Sequence, residues 1–217
     1  MKLESFLRVM LMIHIAGGTT ALTSGLVAMF TLKGSKPHRL AGKIYFWGMT
    51  AVFVGAVIVA LGHDKPFLLM VGFFSYYMTV RGYRVLSLKQ LSKPALLDWF
   101  IMSVSGIFLV ALVGWGIYGL IRGFSMGIVA LTFSGIGLSF LFIDVRNFIR
   151  PPKEKMHWWF THIGSMGGSY ISAVTAFIVV NVQFRQFNWV LWILPAMIGG
   201  ILIGRTIRKY RIQFADR

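Results

Sequence analysis

Two histidines lie inside long apolar stretches of the chain, and simple hydrophobic packing does not account for either of them. His14 lies in MIHIAGGTTALTSG, residues 12–25, and His162 lies in THIGSMGGSYISAVTAF, residues 161–177. Small residues follow each histidine at helical spacing, and such residues let two helix backbones approach closely. Because an ionisable group facing lipid is unfavourable, both imidazoles are predicted to face the interior of a helical bundle.

A redox cofactor is one use for such histidines. A haem b held by two imidazoles needs both at similar depth on facing helices. At about 1.5 Å per residue, His14 is expected roughly 6 Å outside the membrane midplane and His162 roughly 9 Å inside it. That separation disfavours one haem between the two. His63 is an alternative second ligand for His14, and His38 or His157 is an alternative for His162.

Other chemistries fit the histidines less well. His157 and His162 are five residues apart, or about 140° around a helix, so they do not share a face and no metal site is predicted. A proton or ion path would need relays near mid-membrane, but Asp98 and Asp144 lie near the predicted cytoplasmic ends of their spans. A further interpretation is that both histidines hydrogen-bond between helices and serve packing alone.

The composition identifies the class of protein that must position these residues. Of the 217 residues, 57% are hydrophobic and 13% are charged, and apolar stretches long enough to cross a bilayer recur along the chain. The stretches are continuously apolar rather than alternating, which excludes a transmembrane β-barrel. The chain has no cysteine, which excludes disulfides, thiolate zinc sites and iron–sulfur clusters.

The hydrophobic pattern predicts an all-α bundle of seven transmembrane helices. Connections between the apolar segments are short, so residues 1–217 are expected to form one membrane-embedded domain. The predicted spans are 6–31, 40–62, 66–84, 97–120, 125–145, 156–181 and 188–206.

The charge pattern predicts the orientation of the bundle. The net charge is +16, and 17 of the 22 Lys and Arg residues lie in the first, third and fifth loops and the C-terminal segment. Short cytoplasmic loops are rich in Lys and Arg, so the N-terminus is predicted outside and the C-terminus inside a cytoplasmic (inner) membrane. The positions of the basic residues are those expected of a protein in a lipid bilayer. They account for the net positive charge, so nucleic-acid binding is not expected.

Other basic residues occur where predicted helices begin or end. Pro37-His38-Arg39 opens the second span, where the helix N-terminus would favour an anion, so His38 and Arg39 are candidates for contact with an anionic substrate or lipid headgroup. The alternative is a helix-entry turn with a base reaching the interface. Arg81 and Arg84 are predicted to snorkel to that interface. Arg146 and Asn147, with the 151–155 run PPKEK, are expected to form an ordinary cytoplasmic loop.

Part of the sequence resembles a known family. HIAGGTTAL, followed by KPHRLAGKIYFWGM and later by SYISAVTAFIVVN, is similar to the bacterial membrane proteins grouped as domain-of-unknown-function family 2306. The resemblance covers residues 12 to 181 and depends on short motifs. It implies a multi-pass helical protein and implies no particular activity.

Three functions remain open on these grounds. The leading hypothesis is that a polar seam around His14 and His162 binds a redox cofactor or a quinone-like lipid. The first alternative is a small-solute or ion transporter or channel that uses the same seam. The second is a non-catalytic accessory subunit. The GILIG run at 200–204 would suit contact with a second copy or a partner membrane subunit. The sequence assigns no enzymatic reaction.

Overall fold

The computed structural model describes residues 2–88, 94–154, 156–182 and 187–215. Within these ranges it contains seven α-helices, one for each predicted span: α1 Lys2–Phe30, α2 Lys36–Gly62, α3 Pro66–Arg84, α4 Leu96–Ile121, α5 Met126–Ile149, α6 His157–Asn181 and α7 Asn188–Ala215. The prediction of an all-α helical bundle is therefore confirmed. Five of the basic residues used to predict the orientation lie outside the described residues: Lys89, Lys93, Lys155, Arg185 and Arg217.

Helix α3 differs from the other six in its composition. The others are long and apolar enough to cross a membrane, whereas α3 has 19 residues and carries three tyrosines and two arginines. It packs against α2, α4, α5 and α6, so it is the central helix of the bundle. A helix surrounded by protein can carry polar side chains that satisfy one another, which explains how α3 can be the least apolar helix.

The remaining helices are arranged around α3. Helix α1 packs on α2 and α6, and α7 packs on α5 and α6, whereas the consecutive helices α5 and α6 pack on α3 and α7 rather than on each other. Helices α1, α3, α5 and α7 finish at one end of the bundle, and α2, α4 and α6 begin there. We call this end the basic end. The main apolar core lies among α3, α4 and α5, away from that end: Met70, Phe74, Met78, Leu109, Leu112, Val129, Ala130 and Phe133.

Glycines allow α1 and α2 to pack unusually closely. A Cβ atom added at Gly17 would lie 2.9 Å from the carbonyl oxygen of Gly48, and one added at Gly55 would lie 2.8 Å from the carbonyl oxygen of Met10. Ala21, one turn beyond Gly17, is fully buried in the same contact. The small-residue face of α1 therefore points into the bundle, as the sequence predicted.

Two adjacent glycines of α1 allow a matched test of this contact. We expect Gly17→Ala to lower the free energy of unfolding by about 1–3 kcal/mol, because its Cβ would meet backbone atoms of α2 that cannot move alone. Gly18→Ala meets only a Val52 methyl at 3.8 Å, and it should be neutral or stabilising by up to about 1 kcal/mol. Unfolding followed by circular dichroism in detergent measures both, and equal effects would contradict the close packing.

Candidate functional site

His14 forms a hydrogen bond between α1 and α2. Its Nδ1 lies 2.9 Å from the carbonyl oxygen of Val52, and because a carbonyl can only accept, Nδ1 donates. The Cβ of His14 also lies against Gly55, where an added Cβ would be 2.9 Å away. His14 thus belongs to the α1–α2 contact, which is the packing role that the sequence left open for it.

His162 and His38 lie close together at the basic end. His162 Nδ1 donates to the carbonyl oxygen of Gly82 on α3 at 2.8 Å, and His38 Nδ1 donates to the carbonyl oxygen of Ala28 on α1 at 2.9 Å. The two imidazole ring centroids are 6.3 Å apart, with the ring planes at 75°. The structure therefore brings together one of the histidine pairings that the sequence left open.

His14 and His162 are not brought together in the same way, although α1 and α6 are in contact. Measured from the basic end, His14 lies sixteen residues from the end of α1, and His162 lies five residues from the start of α6. These positions correspond to depths of about 24 Å and about 8 Å. A single haem b between this pair is therefore not supported by the geometry.

The side chains of His38 and Arg39 lie in different surroundings. His38 is half-buried against α1 and α6, whereas Arg39 is exposed. Lys33 joins His38 at the end of α1, where its Nζ donates to the carbonyl oxygens of Ala28 at 3.1 Å and Met29 at 2.7 Å. Burial lowers the pKa of Lys33. Of the two predicted anion contacts, only Arg39 faces outward, and its contact with a headgroup stays a prediction.

The packing role of His14 makes a prediction. We expect His14→Ala to lower the free energy of unfolding by about 1–3 kcal/mol, because it removes a cross-helix hydrogen bond and leaves a small cavity. Unfolding in detergent followed by circular dichroism checks this, and a variant as stable as wild type would contradict the packing role of His14.

The structure corrects the prediction that Arg81 snorkels to the interface. Its Nε lies 2.7 Å from Oδ2 of Asp144 on α5, and the two side chains are only 7% and 12% exposed. The hydroxyl of Tyr77 donates to the same Oδ2 at 2.6 Å, and Nη1 of Arg81 donates to the hydroxyl of Ser165 on α6. Four groups from three helices therefore form a buried polar cluster, with opposite charges close enough to compensate each other.

Arg84, the last residue of α3, is paired as well, but its side chain stays 30% exposed and its reach to the interface stays a prediction. Its Nε and Nη2 donate to the two carboxylate oxygens of Asp98 at 2.8 and 2.9 Å. The backbone N–H of Ala95 also donates to Asp98 at 2.8 Å, which satisfies one amide at the start of α4. This bidentate pair joins the end of α3 to the start of α4.

The two ion pairs line a cavity of about 410 Å³ that we call the basic-end cavity. It lies where α5 and α6 separate, and α3, α4, α5 and α6 all contribute to its wall. The segment 151–154, expected to be an ordinary loop, forms part of the lining. Apolar side chains make up much of the rest of the described wall: Val80, Val85, Leu88, Ile101, Met102, Phe148 and Trp158.

The polar part of this wall is electrically balanced. The described lining includes three basic side chains, from Arg81, Arg84 and Lys153, and three carboxylates, from Asp98, Asp144 and Glu154. Each of the two arginines is bonded through two of its five N–H groups within the described part of the chain. The described part of the lining therefore offers polar groups to a ligand, with equal numbers of basic and acidic side chains.

His157 adds a hydrogen-bonded group to the same wall. The amide Nδ2 of Asn147 lies 3.0 Å from its Nε2, and the hydroxyl of Thr161 lies 3.2 Å from the same nitrogen. Because an amide nitrogen can only donate, Nε2 accepts and the ring proton lies on Nδ1. The hydrogen bond between Asn147 and His157 links α5 to α6 across the gap.

A second polar cluster lies deeper in the bundle. The hydroxyl of Ser169, one turn beyond Ser165 on α6, lies 2.7 Å from the hydroxyl of Tyr45 and 2.6 Å from that of Thr79. Both serines are fully buried. Ser165 and Ser169 of α6 therefore both hydrogen-bond to side chains of other helices.

The function of this site is indicated neither by a metal-binding cluster, since the described residues form none, nor by a known relative, since none was found. In residues 2–88, 94–154, 156–182 and 187–215, no group of three or more His, Cys, Asp or Glu side chains is placed to hold a metal ion. Comparison with protein-family models, curated proteins and solved structures found no match to this chain. The resemblance to domain-of-unknown-function family 2306 thus stays a prediction, and the function must be inferred from the site itself.

Proposed function

We propose that the protein is an integral membrane protein that binds a quinone-like lipid, with the ring of the lipid in the basic-end cavity. The observation that carries the proposal is the charge balance of the cavity. Two arginines, each neutralised by a carboxylate, supply hydrogen-bond donors to a cavity whose described wall is otherwise largely apolar. A flat, uncharged ring with carbonyl acceptors matches this combination of surfaces.

The size and polarity of the cavity support this class of ligand. Sites for small molecules usually enclose about 300–1,000 Å³ and are mainly apolar, with a few polar groups that orient the ligand. The cavity of about 410 Å³ falls within that range. A strongly anionic ligand would need an excess of positive charge, which the described lining residues do not provide.

The positions of the polar clusters favour ligand binding over transport of a solute through the bundle. Going inward from the cavity, the described polar side chains continue through Ser165 to Ser169, Thr79 and Tyr45. The apolar core that includes Met70 occupies the region nearer the opposite end. A polar path on the α3–α4–α5 side of the bundle would have to cross this core, which makes a channel or transporter the less favoured alternative.

A cavity-filling substitution tests the proposal. We expect 2,3-dimethoxy-5-methyl-1,4-benzoquinone to bind the purified wild-type protein in titration calorimetry. Thr161→Phe should weaken binding roughly tenfold or more, equal to about 1.4 kcal/mol, because the phenyl ring would occupy the cavity. Thr19→Phe is the matched control, since Thr19 is exposed on α1. Absence of binding to wild type, or equal binding by both variants, would refute the proposal.

A second candidate function is redox-cofactor binding by His38 and His162. With metal–nitrogen distances of about 2 Å, two imidazoles on opposite sides of one metal have ring centroids roughly 6 Å apart. The observed separation is 6.3 Å, and both Nδ1 atoms donate to carbonyl oxygens, as they do in many metal-bound histidines. The centroid separation and the two Nδ1 hydrogen bonds are the observations that favour this candidate.

An absorption spectrum tests this second candidate. Protein expressed with added haem precursor should show a Soret band that shifts on dithionite reduction, and His38→Ala should remove the shift. His14→Ala is the control, because that imidazole lies at a different depth. A flat wild-type spectrum, together with no metal in elemental analysis, would remove the candidate and leave the quinone-like lipid proposal intact.

A further inference from the structure

We propose that a cleft between α2 and α4 holds the apolar tail of the ligand, which enters the site sideways from the bilayer. This inference rests on the proposed function and specifies the ligand class. The ligand would be a single-tailed amphiphile with an uncharged ring, rather than a water-soluble solute or a two-chain phospholipid.

A second cavity carries this inference. It has a volume of about 330 Å³ and is lined by side chains of α2, α3 and α4. It shares four lining residues with the basic-end cavity, so the two spaces adjoin along one strip of the bundle: Tyr77, Val80, Arg84 and Ile101. A molecule with a polar ring in the first cavity therefore has an adjoining space for a chain attached to that ring.

The chemistry of the second cavity suits a hydrocarbon chain. Aromatic and aliphatic side chains form most of its wall, including Phe46, Phe53, Phe73, Phe100 and Val104. The hydroxyl of Tyr76 lies 3.1 Å from that of Thr50, so this polar group has a partner within the bundle. The wall therefore suits an apolar ligand better than a polar one.

The helix arrangement opens this cleft towards lipid. Helices α2 and α4 both pack on α3 and, in the described part of the chain, not on each other. Leu97 and Phe100, at the α4 edge, are 51% and 65% exposed. Because these exposed side chains are apolar in a helix that is long enough to span a membrane, the opening faces hydrocarbon rather than water.

One tail, rather than two, fits the cleft and its connection to the polar cavity. A phospholipid would bring an anionic headgroup against a wall whose described residues carry no excess positive charge, and it would need space for a second chain. A polyprenyl or alkyl tail on a neutral ring fills the cleft between α2 and α4 while the ring reaches Arg81 and Arg84. We therefore infer that ring and tail are recognised by separate, adjoining surfaces.

A substitution in the cleft separates this inference from the proposed function. The probes are 2,3-dimethoxy-5-methyl-1,4-benzoquinone and its decyl-tailed derivative, titrated into protein in neutral-lipid nanodiscs and compared per mole of membrane-bound probe. Val104→Trp should weaken binding of the tailed probe roughly tenfold and leave the tail-less probe unchanged. Val110→Trp is the control, because Val110 is 62% exposed on the same helix and lines neither cavity.

The outcomes distinguish the two proposals. If Val104→Trp binds both probes like wild type, the tail lies elsewhere and this inference fails, while the proposed function stands. If wild type binds neither probe, the proposed function fails as well. Tighter binding of an anionic phospholipid than of either quinone would overturn both.

Photolabelling gives a test that needs no variant. A quinone with a diazirine in its alkyl tail should label peptides that contain Phe46–Phe53 of α2 and Phe100–Ser105 of α4. Excess unlabelled tailed quinone should suppress this labelling. Competable labelling confined to α6 or α7 would overturn the placement of the tail.

Discussion

Asp144→Ala is expected to destabilise the bundle by about 3–5 kcal/mol, far more than the loss of an exposed charge would. The carboxylate of Asp144 accepts from Arg81 at 2.7 Å and from Tyr77 at 2.6 Å. Removing it leaves a guanidinium that is 7% exposed without its counter-charge, in the interior of a membrane-type bundle. The charge would have to draw in water or move to the interface, and either change would disturb α3.

Unfolding in detergent with and without a compensating change measures this effect. The double variant Arg81→Met with Asp144→Leu removes both charges and should recover much of the lost stability, because a buried ion pair can be replaced by apolar groups at little loss. Glu154→Ala is the control. Its 3.5 Å pair with Arg211 has side chains that are 43% and 60% exposed, so the loss should stay below about 1 kcal/mol. Equal losses of stability in Asp144→Ala and Glu154→Ala would contradict a buried pair between Arg81 and Asp144.

Asp98→Asn is expected to change which ligands the basic-end cavity accepts. The substitution keeps the size of the side chain but leaves Arg84 without its carboxylate partner, so the described lining gains one net positive charge. An unpaired charge at about 4 Å contributes up to roughly 4 kcal/mol at an effective dielectric constant of 20. Because Arg84 is 30% exposed, solvent will reduce this, and we expect a gain of roughly tenfold for an anionic probe.

Paired titrations measure this change in preference. The probes are decyl-tailed benzoquinone, which is neutral, and a fatty acid of matching chain length, which is anionic at pH 8. Asp98→Asn should raise affinity for the fatty acid and leave affinity for the quinone equal or lower. Glu4→Gln removes the same charge from an exposed position near the opposite end of the bundle and should change neither. An unchanged ratio of affinities in Asp98→Asn would contradict the role given to charge balance.

The architecture was predictable because it depends on local properties of the chain. Seven apolar segments separated by turn residues indicate seven helices, and each predicted span falls on one helix of the structure. The small-residue stripe that includes Gly17 and Ala21 predicted which face of α1 points inward, since only small side chains permit that approach. These features follow from hydropathy and side-chain volume at helical spacing.

The candidate site was harder to predict because its contacts join residues far apart in the chain. An arginine near a helix end shows the same local pattern whether it reaches the interface or pairs with a carboxylate, and Arg81 does the latter. A signal was nevertheless present. The chain has only six acidic residues, and two of them, Asp98 and Asp144, lie inside predicted spans. An acid there needs a partner, and Arg81 and Arg84, three residues apart on α3, supply both partners.

The sequence left the pairing of His38 with His162 open and could not select it, for a similar reason. Several histidines are expected at interface depth, and only the packing of α1, α2, α3 and α6 selects which two meet. His14, the most conspicuous histidine in an apolar run, donates instead to a carbonyl in the α1–α2 contact. Hydropathy indicates that a polar group faces inward, but it does not identify the group that it meets.

Tryptophan fluorescence during a quinone titration tests the central claim most directly, because Trp158 lines the basic-end cavity. Quinones quench nearby indoles, so titration of delipidated wild-type protein with decyl-tailed benzoquinone should give a saturable loss of emission. Trp158→Phe should retain binding in calorimetry and lose most of that saturable component, while Trp47→Phe, whose side chain is exposed on α2, should keep it. Linear, unsaturable quenching that is identical in all three proteins would contradict a quinone site in this cavity.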